Sequence, residues 1–231
     1  MKKPIIEIQN LTKRFKNKTV FNNINLKVYS GEIFGLLGPN GSGKTTLIQA
    51  LLGTIKPSKG TIKIFDKNLE KSLSWIHSKI NSASAYSNLQ KQLTIMENLL
   101  TFAGLYGIEN PKQKINQLIK FFDLKNYVNQ KTKVINLSSG ENTRLLLCKA
   151  LINDPKILFL DEPTASLDPN IARKVQNLIL KVHKQRSLTI FYTSHNLAEI
   201  KRLCTRIAFL KKGKIIKIGP TTALKKLAKL Y

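Results

Sequence analysis

Nine consecutive residues, Gly38, Pro39, Asn40, Gly41, Ser42, Gly43, Lys44, Thr45 and Thr46, fit the spacing G-x-x-x-x-G-K-[ST]. A loop of this kind turns backbone N–H groups toward phosphate oxygens, and the Lys44 ammonium reaches the β- and γ-phosphates while the Thr45 hydroxyl takes Mg²⁺. Two carboxylates, Asp161 and Glu162, end the apolar run Ile157-Leu158-Phe159-Leu160. At the tip of a buried strand beside a phosphate loop, the first is placed to hold Mg²⁺ through water and the second to polarise an attacking water. His195 follows a further apolar run over 188–193. The chemistry these types imply is cleavage of a nucleoside triphosphate.

Such groups act together only if the chain brings them together. Residues 33–37, ahead of the loop, are apolar enough for a buried strand, and 46–52 after it read as a helix. That order places a positive helix end at the phosphates. Alternation in Ile6-Glu7-Ile8-Gln9-Asn10-Leu11 and Ile24-Asn25-Leu26-Lys27-Val28 suits half-buried strands, the second ending at Ser30-Gly31-Glu32; 60–65 forms another. From Thr94 the period lengthens: Met96, Leu99, Leu100, Ala103 and Tyr106 share a helix face ended by Gly107. Pro111 opens a second helix, with Ile115, Leu118, Ile119 and Phe122 on one side. Strand and helix then alternate over 157–160, 171–183, 189–192, 197–204 and 207–210, the pattern of a parallel sheet flanked by helices. The expected fold is α/β: a P-loop NTPase core with a mostly parallel sheet, an N-terminal antiparallel β layer and an α-helical subdomain. Residues 1–231 form one domain, with 1–85 and 137–231 as nucleotide-binding core and 86–136 as the helical subdomain.

Of the 231 residues 42% are hydrophobic, enough for a sizeable core, yet no apolar run approaches the ~18 residues that cross a bilayer. The start, Met1 to Glu7, lacks the apolar stretch of a secretory signal, so the chain is expected in the cytoplasm. Cys148 and Cys204 fall in apolar helical patterns and are expected as buried free thiols. The net charge is +26, from 39 basic and 13 acidic residues, and no Asp or Glu occurs from Lys201 to Lys229. The lysines are expected on solvated surface, with contact to anionic lipid headgroups as a further use. No RNA-binding sheet motif or zinc-finger spacing occurs, so nucleic acid is not an expected partner.

Two more segments complete an ordered set. Leu137-Ser138-Ser139-Gly140-Glu141 precedes a helical pattern, and Pro163-Thr164-Ala165-Ser166-Leu167-Asp168 follows the acidic pair. With the P-loop, Asp161-Glu162 and His195, they resemble the nucleotide-binding subunits of ATP-binding cassette transporters, over the span from Ile5 to Pro220. The resemblance implies ATP and Mg²⁺ as cofactors. It also implies roles: Phe15 stacks on adenine, Asp161 organises Mg²⁺, Glu162 is the general base, and His195 contacts the γ-phosphate. Ser138, Ser139 and Gly140 match the signature loop, which completes the site of the opposite subunit, and Asp168 matches the loop linking the two sites. Two chains, as a homodimer or heterodimer, then sandwich two ATP molecules head to tail, and hydrolysis opens the dimer. A separate transmembrane permease docks on residues 86–136, which puts the chain on the inner face of the cell membrane.

The sequence also departs from the family. The usual Gln that ligates Mg²⁺ and senses the permease falls at Ala85, with Gln90 and Gln92 nearby as substitutes. Ser139 stands where Gly is usual, and Glu141, where Gln is usual, brings negative charge near the phosphate site. Glu97-Asn98-Leu99 and Phe102-Ala103-Gly104-Leu105-Tyr106-Gly107 resemble the branch that exports drugs, polysaccharides or other hydrophobic cargo. Three alternatives stand beside this. One is a soluble family member acting on ribosomes or DNA, against which stand the single cassette and the absence of heptads. Another is a P-loop GTPase, against which stands the absence of N-K-x-D. The third is a non-hydrolysing partner in a heterodimer, motivated by Ala85 and Ser139.

Overall fold

The computed structural model describes residues 3–84 and 89–222. Strands β1 (Pro4–Phe15) and β2 (Lys18–Tyr29) lead into β3 (Ile33–Leu37), the P-loop and helix α1 (Lys44–Leu51). Then come β4 (Lys59–Ile64), β5 (Lys67–Asn68), α2 (Leu73–His77) and β6 (Ile80–Ser84). Helices α3 (Ile95–Leu105), α4 (Pro111–Phe121), α5 (Lys125–Asn129) and α6 (Ser139–Ala150) follow. The chain ends in β7 (Ile157–Asp161), α7 (Pro169–Arg186), β8 (Thr189–Ser194), α8 (Leu197–Leu203), β9 (Arg206–Lys211) and β10 (Lys214–Pro220).

These strands make two sheets. One is four-stranded and antiparallel, in the order β2-β1-β4-β5. The other is six-stranded, in the order β10-β9-β3-β8-β7-β6, parallel from β9 to β6 with β10 antiparallel at its edge. Strands β3, β7 and β8 are buried along their whole lengths, because both faces of this sheet are covered. Phe34, Leu36, Phe159, Phe191 and Leu210 point into one apolar cluster, with the antiparallel sheet and α1. Ile33, Leu37, Leu158, Leu160, Ile190 and Phe209 point into the other, which α3, α4, α6 and α7 complete. Alternate residues of each strand therefore serve opposite cores, which is why these strands read as continuous apolar runs.

The register sets the site. Leu37 pairs with Ser194, and Asp161 pairs with Thr193. The P-loop, the Asp161-Glu162 pair and His195 thus leave neighbouring parallel strands at the same edge. That carboxyl edge is where open α/β sheets bind ligands.

The antiparallel layer and mostly parallel sheet agree with the sequence expectation, and both cysteines are buried free thiols. Several elements differ in extent. Helix α6 begins at Ser139 rather than after Glu141, because Ser138 caps it. Helix α7 runs three residues further than expected at its C-terminal end and starts at Pro169, whose fixed φ suits the first helical position. Strands β6 and β10 had no strand signal. Asn81, Ser82 and Ser84 make β6 polar, and β10 is a largely exposed edge. Glu97 and Asn98, two of the nine residues of the exporter-like segment, have local work. Glu97 closes a capping box with Thr94 at the start of α3, and the Asn98 side chain accepts the Gln90 N–H and donates to the Gln90 carbonyl.

Candidate functional site

The geometry starts with a helix that nothing of its own caps. Gly43 precedes α1 at φ 106°, a left-handed conformation that strains any residue with a Cβ, and no side chain among the described residues caps the helix. The first helical hydrogen bond beyond the loop runs from Leu47 N–H to the Gly43 carbonyl. The N–H groups of the first turn have no intrahelical acceptor and carry the positive end of the helix dipole. Beside them the Ser42 hydroxyl is buried without a hydrogen-bond partner among the described residues. An orphaned buried hydroxyl and an uncapped helix start both fit a phosphate, which supplies acceptor oxygens and negative charge.

Lys44 is 4% exposed, and each N–H of its ammonium has an acceptor. These are the Gly38 carbonyl at 2.7 Å, the Pro39 carbonyl at 3.1 Å and Glu162 Oε1 at 2.9 Å. The other oxygen of the same carboxylate, Oε2, lies 2.8 Å from His195 Nδ1. Burial raises the Glu162 pKa, but the hydrogen bonds from Lys44 and His195 outweigh it and hold the carboxyl below its ordinary range. The group is therefore ionised at neutral pH, as a proton acceptor must be. Its backbone sits at φ 46°, an uncommon conformation costing about 1–3 kcal/mol that surrounding bonds must hold. Thr193 does this. Its carbonyl and its hydroxyl accept the Glu162 N–H at 3.2 and 3.1 Å, and its hydroxyl donates to Asp161 Oδ1 at 2.6 Å.

A cleft of 680 Å³ opens over this cluster. Phe15, at the end of β1 and 46% exposed, lines one end; Asn40, Gly41, Gly43, Lys44, Thr45, Thr46 and Glu162 line the other. Lys18 and Lys212 add positive charge to the same walls, a contribution the sequence does not mark, because one opens β2 and the other lies in the turn between β9 and β10, far apart in the chain. Asp161 is buried beneath, and its carboxylate with the Thr45 hydroxyl forms an all-oxygen donor set of the kind Mg²⁺ takes.

Ser138, Ser139, Gly140 and Asp168 do not join this cleft. They line a separate one of 650 Å³ between the start of α6 and α7. Gly140 lies where a Cβ would come within 2.6 Å of Ile171 Cγ2, so packing against α7 excludes larger residues there. Glu141 lines this second cleft as well, and its carboxylate has local partners. One carboxylate oxygen accepts the Ser138 N–H at 2.8 Å and the other the Tyr127 hydroxyl at 2.6 Å. Its charge is occupied in closing the cap of its own helix. Ala85 lies outside the described residues, and neither Gln90 nor Gln92 lines the P-loop cleft.

A P-loop at the carboxyl edge of a parallel sheet, with an acidic pair on the strand beyond its neighbour, defines a nucleoside-triphosphatase of the P-loop class. The ABC transporter family matches residues 21–165, and the chain belongs to it as an ATP-binding, ATP-hydrolysing subunit. It is similar to the Nod factor export ATP-binding protein I of Burkholderia lata, 37% identical over 95% of this chain and 72% of that protein. It is likewise similar to the bacitracin transport ATP-binding protein BcrA of Bacillus licheniformis, 37% identical over 98% of this chain and 73% of that one. In fold it matches CbiO1 from Clostridium perfringens, part of the ABC transporter complex CbiONQ, with a TM-score of 0.85 and 23% identity over 98% of this chain and 92% of that one.

Proposed function

We propose that the chain powers an exporter, and that Glu162 is the general base of a site completed by a second cassette. The observation that carries this is the double contact of the Glu162 carboxylate, 2.9 Å from Lys44 Nζ and 2.8 Å from His195 Nδ1, at the mouth of the P-loop cleft. Lys44 has no spare donor in this arrangement. When the γ-phosphate takes Lys44 as partner, Glu162 is freed to accept a proton from the attacking water, and His195 turns from Glu162 to the phosphate. Gly38 to Thr46 cradle the phosphates, and Phe15 stacks on the adenine. Asp161 and Thr45 would hold Mg²⁺, which supplies charge neutralisation on the phosphates.

The second cleft supplies the other half. Ser138, Ser139 and Gly140 present the start of α6, with its dipole, to the γ-phosphate held by a partner cassette, and Asp168 links the two sites. A homodimer and a heterodimer both satisfy this geometry. Two basic surfaces close on ATP and separate after hydrolysis. Residues 86–136 form the helical subdomain that docks on a separate permease, with 1–85 and 137–231 as the core. Among the described residues no helix is long and apolar enough to cross a membrane. Docking on a permease would hold the chain on the inner membrane face, where its excess of lysine meets anionic lipid. Export as the direction rests on the exporter-like segment around α3 and on the relative named for Nod factor export.

Glu162→Gln tests the base. Turnover is expected to fall about 10³-fold, while ATP binds at least as tightly, because Lys44 no longer has a competing carboxylate. Hydrolysis persisting at the native rate would remove Glu162 from the role.

A further inference from the structure

We infer that Glu199 is a positioning residue for hydrolysis, tying the loop after Glu162 to the β8 end that carries His195. The inference rests on the roles proposed above for Glu162 and His195. Thr164 Oγ1 donates to Glu199 Oε1 at 2.7 Å, and Gln176 Nε2 donates to the same oxygen at 3.3 Å. Ser194 Oγ donates to Oε2 at 2.8 Å. The Tyr192 hydroxyl shares its single proton between Oε2 at 3.2 Å and Thr164 Oγ1 at 3.1 Å. These donors come from the loop after the acidic pair, from α7 and from β8, and they meet a carboxylate in the first turn of α8.

The network brackets both reacting groups. Thr164 lies two residues beyond Glu162, and Ser194 immediately precedes His195. The Ser194 hydroxyl also accepts the Asn196 N–H at 2.9 Å, and the Asn196 side chain accepts the Ala198 and Glu199 N–H groups as the cap of α8. The backbone is therefore fixed on both sides of His195, and through Glu199 that fixed point is joined to the Glu162 loop. Thr164, Tyr192 and Ser194 are buried, so none of their hydroxyls has water as a ready alternative. Burial first, and the Glu199 charge next, raise the Tyr192 phenol well above its ordinary pKa, so it remains a donor throughout the neutral range. A cleft of 420 Å³ lined by Glu162, Thr164, Ser194, His195 and Glu199 confirms that the network adjoins the reacting groups.

A structural anchor and a positioning residue differ in what they change. The test replaces Glu199 by Gln in the full chain, which keeps the size but turns an amide N–H₂ toward donors. Turnover is expected to fall about 10-fold, with KM and the dissociation constant of a fluorescent ATP analogue each within about 2-fold of native. In a His195→Ala background the same change is expected to cost less than about 2-fold, because the group it positions is gone. Thr164→Val and Ser194→Ala each remove one donor and are expected to slow turnover about 3-fold; they carry the test if the Glu199 variant does not fold. Native turnover in Glu199→Gln, or in both single-donor variants, overturns the inference, as does a full 10-fold loss that persists without His195. Glu162→Gln and His195→Ala are measured alongside. If they slow turnover and Glu199→Gln does not, only the positioning role falls; if neither slows turnover, the role falls together with the site assignment.

Discussion

Helices α1 and α6 both start at a loop of small residues, yet their first turns are built in opposite ways. Helix α1 enters from Gly43 with no side-chain cap, and the buried Ser42 hydroxyl beside it has no partner among the described residues. Helix α6 enters from Ser138 with a closed capping box. The Ser138 hydroxyl accepts the Glu141 N–H, and the Glu141 carboxylate accepts the Ser138 N–H. A capping box satisfies locally what an anion would otherwise satisfy. The first helix start is left, among the described residues, with the donors that a phosphate would take. The second is capped by its own residues, and the proposed function offers it to the ATP of a partner cassette.

Removing Lys44 should break the contrast most severely. Lys44→Ala takes away the buried ammonium that a phosphate would share with the loop carbonyls, and ATP affinity is expected to fall at least about 100-fold by equilibrium binding. Unchanged affinity would mean that α1 is not the receptor. Gly140→Ala addresses the other helix. Its new methyl group meets Ile171 at 2.6 Å, and overpacking of this kind costs about 1–3 kcal/mol. The expected result is weakened ATP-dependent association with ATP affinity of the single chain preserved; equal loss of both would merge the two regions into one site.

The smallest effect concerns the cap. Glu141→Gln is expected to lower stability by about 1 kcal/mol, measured by denaturant unfolding, with ATP affinity unaltered. Burial raises the Glu141 pKa, but the bonds from Tyr127 and Ser138 outweigh it and leave it below the ordinary 4.5. A depressed folded-state pKa gives stability that is present above the unfolded value and is lost as pH falls through the folded one. The difference between native and Glu141→Gln stability should therefore be constant between pH 6 and 8 and shrink below about pH 4.5. A difference that grew on acidification would contradict the contacts assigned to Glu141.

The two regions were unequally legible in the sequence. The P-loop, the Asp161-Glu162 pair and His195 each sit at the end of a continuous apolar strand, and a doubly covered sheet writes its strands as such runs. The state of α6 was open to the same kind of inspection: Ser138-x-x-Glu141 and Thr94-x-x-Glu97 both have capping-box spacing, which places Glu141 at the cap. Strands β6 and β10 had no such mark, since one is polar and the other a solvent-facing edge. The Thr193 and Glu199 networks could not be read at all. Their partners come from segments far apart in sequence, and parallel register alone sets Asp161 beside Thr193.

Each chain is proposed to hold two halves of different sites, one binding ATP and one closing over the ATP of a partner. The direct measurement is the mass of the Glu162→Gln protein in solution with and without Mg²⁺-ATP, repeated with Gly140→Asp added. ATP is expected to double the mass of Glu162→Gln, and the added Gly140 change to abolish the doubling while ATP binding to the single chain is retained. A doubling that survives at Gly140→Asp, or ATP binding that disappears with it, would contradict the division into two half-sites.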